Sequence, residues 1–143
     1  MLNKAITLAK KAHEGQVDKG GNPYIGHPLR VMNQGENDEE KIVGVLHDAV
    51  EDSDLTLEDL RVAGFSDRIV EAVDAITKRE EEKRKDYLKR VGDNPLALKV
   101  KIADMSDNAD ILRIPNPTDK DRERTRIYQK NILKLQKKLQ EYV

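Results

Sequence analysis

The spacing of apolar residues constrains the fold of this chain more than any other feature. Apolar side chains recur every three or four residues along most of the sequence, and the alternation typical of a half-buried strand is nowhere sustained. The first such run has apolar residues at Leu2, Ala5, Ile6, Ala9 and Ala12. The pattern is typical of amphipathic helices, and we therefore expect an all-α fold.

The composition agrees with packed helices and excludes several classes of protein. Aromatic residues are 3% of the 143 positions, so the core must be built from Leu, Ile, Val and Ala. The absence of cysteine excludes disulfides, thiolate zinc sites and a cysteine nucleophile. A net charge of −1 gives no overall attraction to nucleic acid or to a membrane surface. A mean hydropathy of −0.76 and an N-terminus without a signal-peptide pattern predict a soluble, cytoplasmic protein.

Local signals predict about seven to eight helices in a single domain over residues 1–143. A turn-rich loop over residues 15–23 precedes a predicted helix over residues 27–33. A third helix should begin near Asp38 and continue through Val50 as an apolar ridge. Later helix starts are indicated at Thr56, Ser66, Pro95 and Asp119. The last helix should carry an apolar stripe at Ile127, Ile132, Leu135 and Leu139.

Charge is distributed unevenly although the total nearly cancels. Residues 36–60 contain ten acids and one lysine, whereas residues 120–143 contain eight basic residues and three acids. Two solvated helix faces would explain this distribution. The functional interpretation is an acidic centre for a cation beside a basic flank for a substrate anion.

The apolar ridge is interrupted by polar residues that are costly to bury. On a continuous helix His47 and Glu51 would lie one turn apart, as would Asp48 and Asp52, at one end of the ridge. A carboxylate in such a place needs an ionic partner or a metal ion. One helix cannot complete a metal site, so other helices must contribute ligands.

Two further candidates for ligands, His27 and Asp104, lie at ends of predicted helices where a bundle can bring them to the pair. Two imidazoles and two carboxylates suit manganese, iron(II) or zinc better than calcium, and we expect manganese. Glu51 and Asp52 are placed to accept a proton from an activated water. A single buried histidine is more often a hydrogen-bonded core residue, and we assign His13 to packing or hydrogen bonding at a helix end.

Four sequence motifs together resemble the hydrolase domain of RelA/SpoT proteins and their small stand-alone relatives, which belong to the HD superfamily of metal-dependent phosphohydrolases. The motifs are AHEGQ at residues 12–16, PYIGHP at 23–28, HDAVED at 47–52 and KIADMSDN at 101–108. The resemblance implies a single HD-type helical bundle. It also implies manganese-dependent removal of the 3′-pyrophosphate from guanosine tetra- and pentaphosphate, with a small phosphorylated nucleotide as the partner.

The resemblance also implies roles for individual residues. The positions matching the family's metal ligands are His27, His47, Asp48 and Asp104. Glu51 and Asp52 match the pair that activates water. The positions expected to contact substrate are Lys19, Tyr24, Asn108, Arg124 and Tyr128.

Two departures from the family pattern keep other functions open. Asp18 stands where the family usually has a basic residue that stacks on the base, and Met105 stands where it usually has Arg or Lys. These changes leave the metal residues intact but affect the nucleotide pocket. One alternative is an HD-fold phosphatase acting on a nucleotide 2′- or 3′-phosphate or on NADPH. Another is a sensor that binds metal and nucleotide without turnover.

Overall fold

The computed structural model describes residues 1–142, and the regular secondary structure within that range is helical, as predicted. The helices are α1 (Leu2–Ala12), α2 (Gly26–Asn33), α3 (Asp38–Leu46), α4 (Ala49–Asp52), α5 (Leu57–Val62), α6 (Asp67–Ile76), α7 (Arg84–Gly92), α8 (Pro95–Asn108) and α9 (Asp119–Gln140). A 3₁₀ turn spans Ile111–Arg113, and an isolated bridge joins Val17 to Pro23. Counting α3 and α4 as one interrupted helix gives eight in the described part of the chain, which confirms the predicted bundle.

Side-chain caps explain where several helices begin. The side chains of Thr56 and Thr118 each accept a hydrogen bond from the backbone N–H three residues later. The aspartate at that later position accepts in turn from the backbone N–H of the threonine. Ser66 caps α6, and Asn94 caps α8 directly before Pro95 at its first position. The starts predicted from Thr56, Ser66, Pro95 and Asp119 are thus confirmed.

The prediction of one helix from Asp38 through Val50 is wrong, because the chain leaves regular helix at His47 and Asp48. The Nδ1 atom of His47 lies 2.6 Å from the carbonyl oxygen of Gly44. In an uninterrupted helix that carbonyl would accept the N–H of Asp48. The turn remains compact, since the N–H of Asp52 still donates to the Asp48 carbonyl at 3.0 Å.

Helix α3 is the centre of the bundle and packs against α1, α2, α6 and α8. The core consists mainly of Val, Ile, Leu and Ala, with Phe65 as its single phenylalanine. A Cβ at Gly44 would lie 3.1 Å from the Cα of Met32, so glycine permits the close contact between α2 and α3. This contact places the start of α2 beside the end of α3, where the buried residues His27 and His47 lie.

A smaller cluster joins α8 to α9 through Leu98, Met105 and Leu135. Ile132 and Leu139 pack against this cluster as predicted, but Ile127 is 45% exposed and Tyr128 packs there instead. Within residues 1–142, no helix combines the length and the apolar character that crossing a membrane requires.

Candidate metal centre

Four side chains from three parts of the bundle converge at the end of α3. His27 comes from α2, His47 and Asp48 from the break after α3, and Asp104 from α8. One ligand atom from each residue lies within 4.8 Å of all the others. The structure therefore brings together the four residues that the sequence analysis selected as metal ligands.

The spacing of these atoms matches ligands that share one ion. Nε2 of His27 lies 2.8 Å from Oδ1 of Asp104, and Nε2 of His47 lies 3.1 Å from the same oxygen. Oδ2 of Asp48 lies 3.1 Å from Nε2 of His47 and 3.7 Å from Nε2 of His27. Two ligands about 2.1 Å from a common ion lie roughly 3.0–3.4 Å apart at octahedral or tetrahedral angles.

The second nitrogen of each imidazole is held by an acceptor outside the cluster. Nδ1 of His47 donates to the carbonyl oxygen of Gly44 at 2.6 Å, and Nδ1 of His27 lies 2.6 Å from Oδ2 of Asp107. Histidines that bind metals are usually oriented in this way. With Nδ1 protonated, each Nε2 lone pair faces a carboxylate oxygen. This arrangement needs a positive charge between them, which a divalent ion supplies, so the donor set fits a metal.

The electrostatics of the cluster show the same demand for positive charge. Burial lowers the pKa of His47, but the carboxylates of Asp48 and Asp104 outweigh burial and raise it well above its usual value. Burial raises the pKa of Asp48, but the neighbouring His47 outweighs burial and brings it to about 2. The pKa of Asp104 is well below its ordinary value despite burial, mainly because of Lys101 and then His47.

Two neighbours on α8 fix the orientation of Asp104. Nζ of Lys101 lies 2.8 Å from its Oδ2, and Nδ2 of Asn108 donates to its Oδ1 at 3.1 Å. These residues are three positions before and four positions after Asp104, so one helix face supplies both. Lys101 was not predicted as part of the site, although its helical spacing from Asp104 was a usable signal.

Glu51 and Asp52 lie beside the cluster on the exposed side of α4. Oxygens of Asp48, Glu51 and Asp52 lie within 4.8 Å of one another. Partial burial raises the pKa of both Glu51 and Asp52, and the charge of Asp48 raises it further. The backbone N–H of Lys78 donates to Oε1 of Glu51 at 3.1 Å. These carboxylates are therefore more basic than ordinary ones and adjoin the proposed ligands.

Tyr24 connects the metal cluster to the adjoining cavity. Its hydroxyl donates to Oδ2 of Asp48 at 2.5 Å, and burial followed by the Asp48 charge raises its pKa. The tyrosine therefore stays protonated and holds the Asp48 carboxylate in place.

A cavity of about 390 Å³ opens on the His27 side of the cluster. All five residues predicted to contact substrate line it: Lys19, Tyr24, Asn108, Arg124 and Tyr128. Arg30 and Arg113 also line it, together with Asp107. Asp107 lies in the KIADMSDN motif but was given no role, and no motif pointed to Arg30 or Arg113, because these contacts connect α2, α8 and the 3₁₀ turn across long stretches of sequence.

The two departures from the family pattern have structural roles. Oδ1 of Asp18 accepts the N–H groups of Gly20 and Asn22 at 2.9 Å each, which closes the loop at the rim of the cavity. Met105 is fully buried in the apolar cluster between α8 and α9. Neither side chain supplies a positive charge like that of the basic residue usual at its position.

His13 occupies a helix end, as predicted. It follows α1 directly, and its Nδ1 lies 2.8 Å from Oε1 of Gln16. Gln16 in turn donates to the carbonyl oxygens of Ala12 and Asp52. The AHEGQ motif thus braces α1 against the end of α4 and supplies no atom to the metal cluster.

Comparison with known proteins gives no matching family model but several relatives. The chain is 33% identical over 125 residues to a GTP pyrophosphokinase of Streptomyces coelicolor, covering 78% of this chain and 15% of that protein. It is 32% identical over 123 residues to a guanosine-3′,5′-bis(diphosphate) 3′-pyrophosphohydrolase of Aquifex aeolicus, covering 78% of this chain and 18% of that protein. A protein of the same name from Vibrio cholerae is 36% identical over 97 residues, covering 65% of this chain and 14% of that protein.

The chain thus spans less than a fifth of the length of these relatives. One solved structure, of a metazoan ortholog of SpoT described as hydrolysing ppGpp, matches the fold with a TM-score of 0.76. That match covers 98% of this chain and 92% of the other at 22% identity. Sequence and fold agree on one conclusion: the chain belongs to the HD-type domains of the RelA/SpoT family.

Proposed function

We propose that the chain is a metal-dependent phosphohydrolase of phosphorylated nucleotides, and specifically a guanosine 3′,5′-bis(diphosphate) 3′-pyrophosphohydrolase. The observation that carries this proposal is a cluster of four potential metal ligands next to a cavity that four basic side chains line. The names of two relatives support the specific activity. Residues 1–143 would form one HD-type domain in the cytoplasm. Its partner would be a nucleotide and not a nucleic acid or a membrane.

His27, His47, Asp48 and Asp104 would hold the ion, with manganese proposed first and iron(II) or zinc as alternatives. The ion would lower the pKa of a water molecule and stabilise negative charge on the phosphoryl oxygens. Gly44 and Asp107 fix the two imidazoles, whose Nε2 atoms would hold the ion. Lys101 and Asn108 hold the Asp104 carboxylate in place.

Glu51 would act as the general base that removes a proton from the attacking water. Its raised pKa favours proton transfer, and the Lys78 N–H keeps one carboxylate oxygen in a fixed position. Asp52 would assist as a second proton acceptor from the same turn. On the other side, Lys19 and Arg124 would bind the anionic nucleotide, with Tyr24 and Tyr128 lining the same cavity.

Hydrolysis assays on metal-stripped protein resupplied with manganese test this proposal. The substrates are ppGpp, GTP, dGTP, 5′-mononucleotides and NADPH, with products identified. We expect pyrophosphate release from ppGpp and little turnover of the others. Absence of ppGpp turnover by protein that binds stoichiometric manganese would overturn the specific activity.

A second candidate is an HD-fold phosphatase with another nucleotide substrate, such as a 2′- or 3′-phosphate or NADPH. The structural roles of Asp18 and Met105 favour it, because neither supplies the family's usual basic group to the cavity. Turnover of NADPH or of a nucleotide 3′-phosphate in the same panel would select this candidate. A sensor without turnover is less favoured, because binding alone does not require both Glu51 and Asp52 beside the metal.

A further inference from the structure

A second charged cluster lies on the opposite side of the His27 ring from the metal centre. We call it the Asp107 cluster, and it consists of Asp107, Arg30 and Arg113. Oδ1 of Asp107 accepts from Nε of Arg30 and lies 2.8 Å from a terminal nitrogen of Arg113, while Oδ2 lies 2.6 Å from Nδ1 of His27. A single carboxylate thus connects α2, α8 and the 3₁₀ turn.

The cluster presents guanidinium N–H groups to the cavity. Asp107 is buried and pairs with both guanidinium groups, and the carboxylate of Asp110 lies 3.5 Å from the other terminal nitrogen of Arg113. The side chains of Arg30 and Arg113 remain 37% and 33% exposed, and both line the cavity. Within residues 1–142 the terminal nitrogens of Arg30 make no hydrogen bond to protein. Two adjacent arginines with spare N–H groups are suited to bind a phosphate group.

We propose that Arg30 and Arg113 form an anion subsite for a phosphate group of the substrate other than the one that is cleaved. This inference rests on the proposed function and specifies its substrate class. The subsite is separated from the metal centre by the His27 ring and the Asp107 carboxylate. A substrate that uses both must therefore carry phosphate groups at two separate positions, as a nucleotide phosphorylated on both the 3′ and 5′ oxygens does.

The same cavity contains a second pair of cations, which provides an internal comparison. Lys19 and Arg124 both face Asp121, at 3.9 Å and 3.5 Å. The Lys19 side chain is 57% exposed, so it must be ordered when an anion binds. The arginines of the Asp107 cluster are already fixed by a buried carboxylate. A preorganised pair loses less conformational entropy on binding, which favours it as the main phosphate contact.

The first test measures binding of inorganic pyrophosphate to the metal-free chain by calorimetry. Without metal, the carboxylates of Asp48 and Asp104 repel an anion, so pyrophosphate must bind to the cationic residues. We expect Arg30→Gln and Arg113→Gln each to weaken binding by at least about tenfold, the effect of losing one charged contact. Arg61→Gln, at an exposed position on α5, is the matched control and should bind like the wild type.

Unchanged affinity in both cluster variants would overturn the subsite, as would loss of binding only in Lys19→Gln. Manganese affinity is measured in parallel to show that each variant keeps its metal centre. Loss of pyrophosphate binding with retained manganese affinity supports a direct contact and not a general disturbance of His27.

The second test compares ppGpp with guanosine 3′-diphosphate, which lacks the 5′ phosphates. We expect Arg113→Gln to raise KM for ppGpp by at least about tenfold with little change in kcat, and to leave KM for the shorter substrate unchanged. An equal rise in KM for both substrates would indicate that the arginines contact the phosphate group that is cleaved, and it would overturn the proposal. If neither substrate is hydrolysed, the proposed function fails, while the pyrophosphate measurement still decides whether the subsite exists.

Discussion

The two sides of the metal cluster carry opposite charge and are built differently. On the α4 side, Glu51 and Asp52 are exposed carboxylates beside Asp48. On the cavity side, Arg30 and Arg113 are fixed by the buried Asp107. The acidic side repels anions and is suited to taking a proton from water, whereas the cationic side is suited to binding the proposed nucleotide. In the proposed reaction, the substrate would therefore bind on one side of the metal cluster and the proton acceptors would lie on the other.

The largest expected effect comes from removing Asp48, a proposed metal ligand that lies between the acidic side and the cationic side. Asp48→Ala should weaken manganese binding by more than about 100-fold, beyond the 10–100-fold cost of losing a residue that only supports a ligand. Activity should be lost with the metal. Calorimetric titration with manganese measures the first effect, and circular dichroism checks the fold.

Asp54→Ala is the control for this variant, because it removes an exposed acid six residues further along the chain. It should retain metal affinity. Stoichiometric, tight manganese binding by Asp48→Ala would show that the four-residue cluster is not the metal centre.

The next effect tests the acidic side alone. Glu51→Gln keeps the shape of the side chain and removes its basicity, so manganese affinity should stay within about threefold of the wild type, while kcat falls by roughly 10²–10⁴, the usual range for a general base. Single-turnover kinetics with manganese-loaded protein measure the change in kcat. An unchanged rate would exclude Glu51 as the base, and Asp54→Asn controls for the loss of one negative charge nearby.

The four residues of the metal cluster were predictable because polar side chains stand where the surrounding sequence predicts a buried, apolar position or a recognisable motif. His47 and Asp48 interrupt an apolar ridge, and His27 and Asp104 lie in short motifs with recognisable neighbours. Helical periodicity gave the all-α bundle, and cap residues gave several helix starts. The break after α3 was not predictable from periodicity, because it depends on which carbonyl the His47 ring contacts.

The cationic side was harder to predict because its contacts are long-range. Arg30 and Asp107 are 77 positions apart in sequence, and Arg113 lies in a turn with no motif of its own. Each of these residues, considered alone, is typical of a solvated surface. Their function depends on the tertiary contact between α2 and α8, which local patterns do not encode.

A smaller effect tests how the cationic side supports the metal. Asp107→Asn removes the negative charge that His27 and both arginines contact. Because His27 then loses the carboxylate that orients it, manganese affinity should fall by about 10–100-fold. Asp110→Asn is the matched control, because Asp110 pairs with Arg113 but does not contact His27. Equal manganese affinity in Asp107→Asn and the wild type would show that the cluster does not orient His27.

The smallest expected effect concerns the segment that supports the acidic side. Arg90 donates to both carboxylate oxygens of Glu82, at 2.8 and 3.0 Å, and also to the carbonyl oxygen of Thr77. The next residue, Lys78, supplies the N–H that holds Glu51. The pair between Glu82 and Arg90 thus anchors both ends of the short segment that contacts the proposed base.

This pair predicts a pH dependence of stability with a definite sign. The hydrogen bonds from Arg90, and then from the Arg79 N–H, lower the pKa of Glu82 from 4.5 to about 2 in the folded protein. Its contribution to stability is therefore complete above pH 4.5 and is lost as the pH falls from 4.5 toward 2. Glu82→Gln should melt below the wild type at pH 7, and the difference should shrink at pH 3. Thermal melts with Glu80→Gln as a control measure this, and a difference that is the same at both pH values would contradict the pairing. Because Glu82 is near the surface, the effect should be smaller than those at the metal cluster.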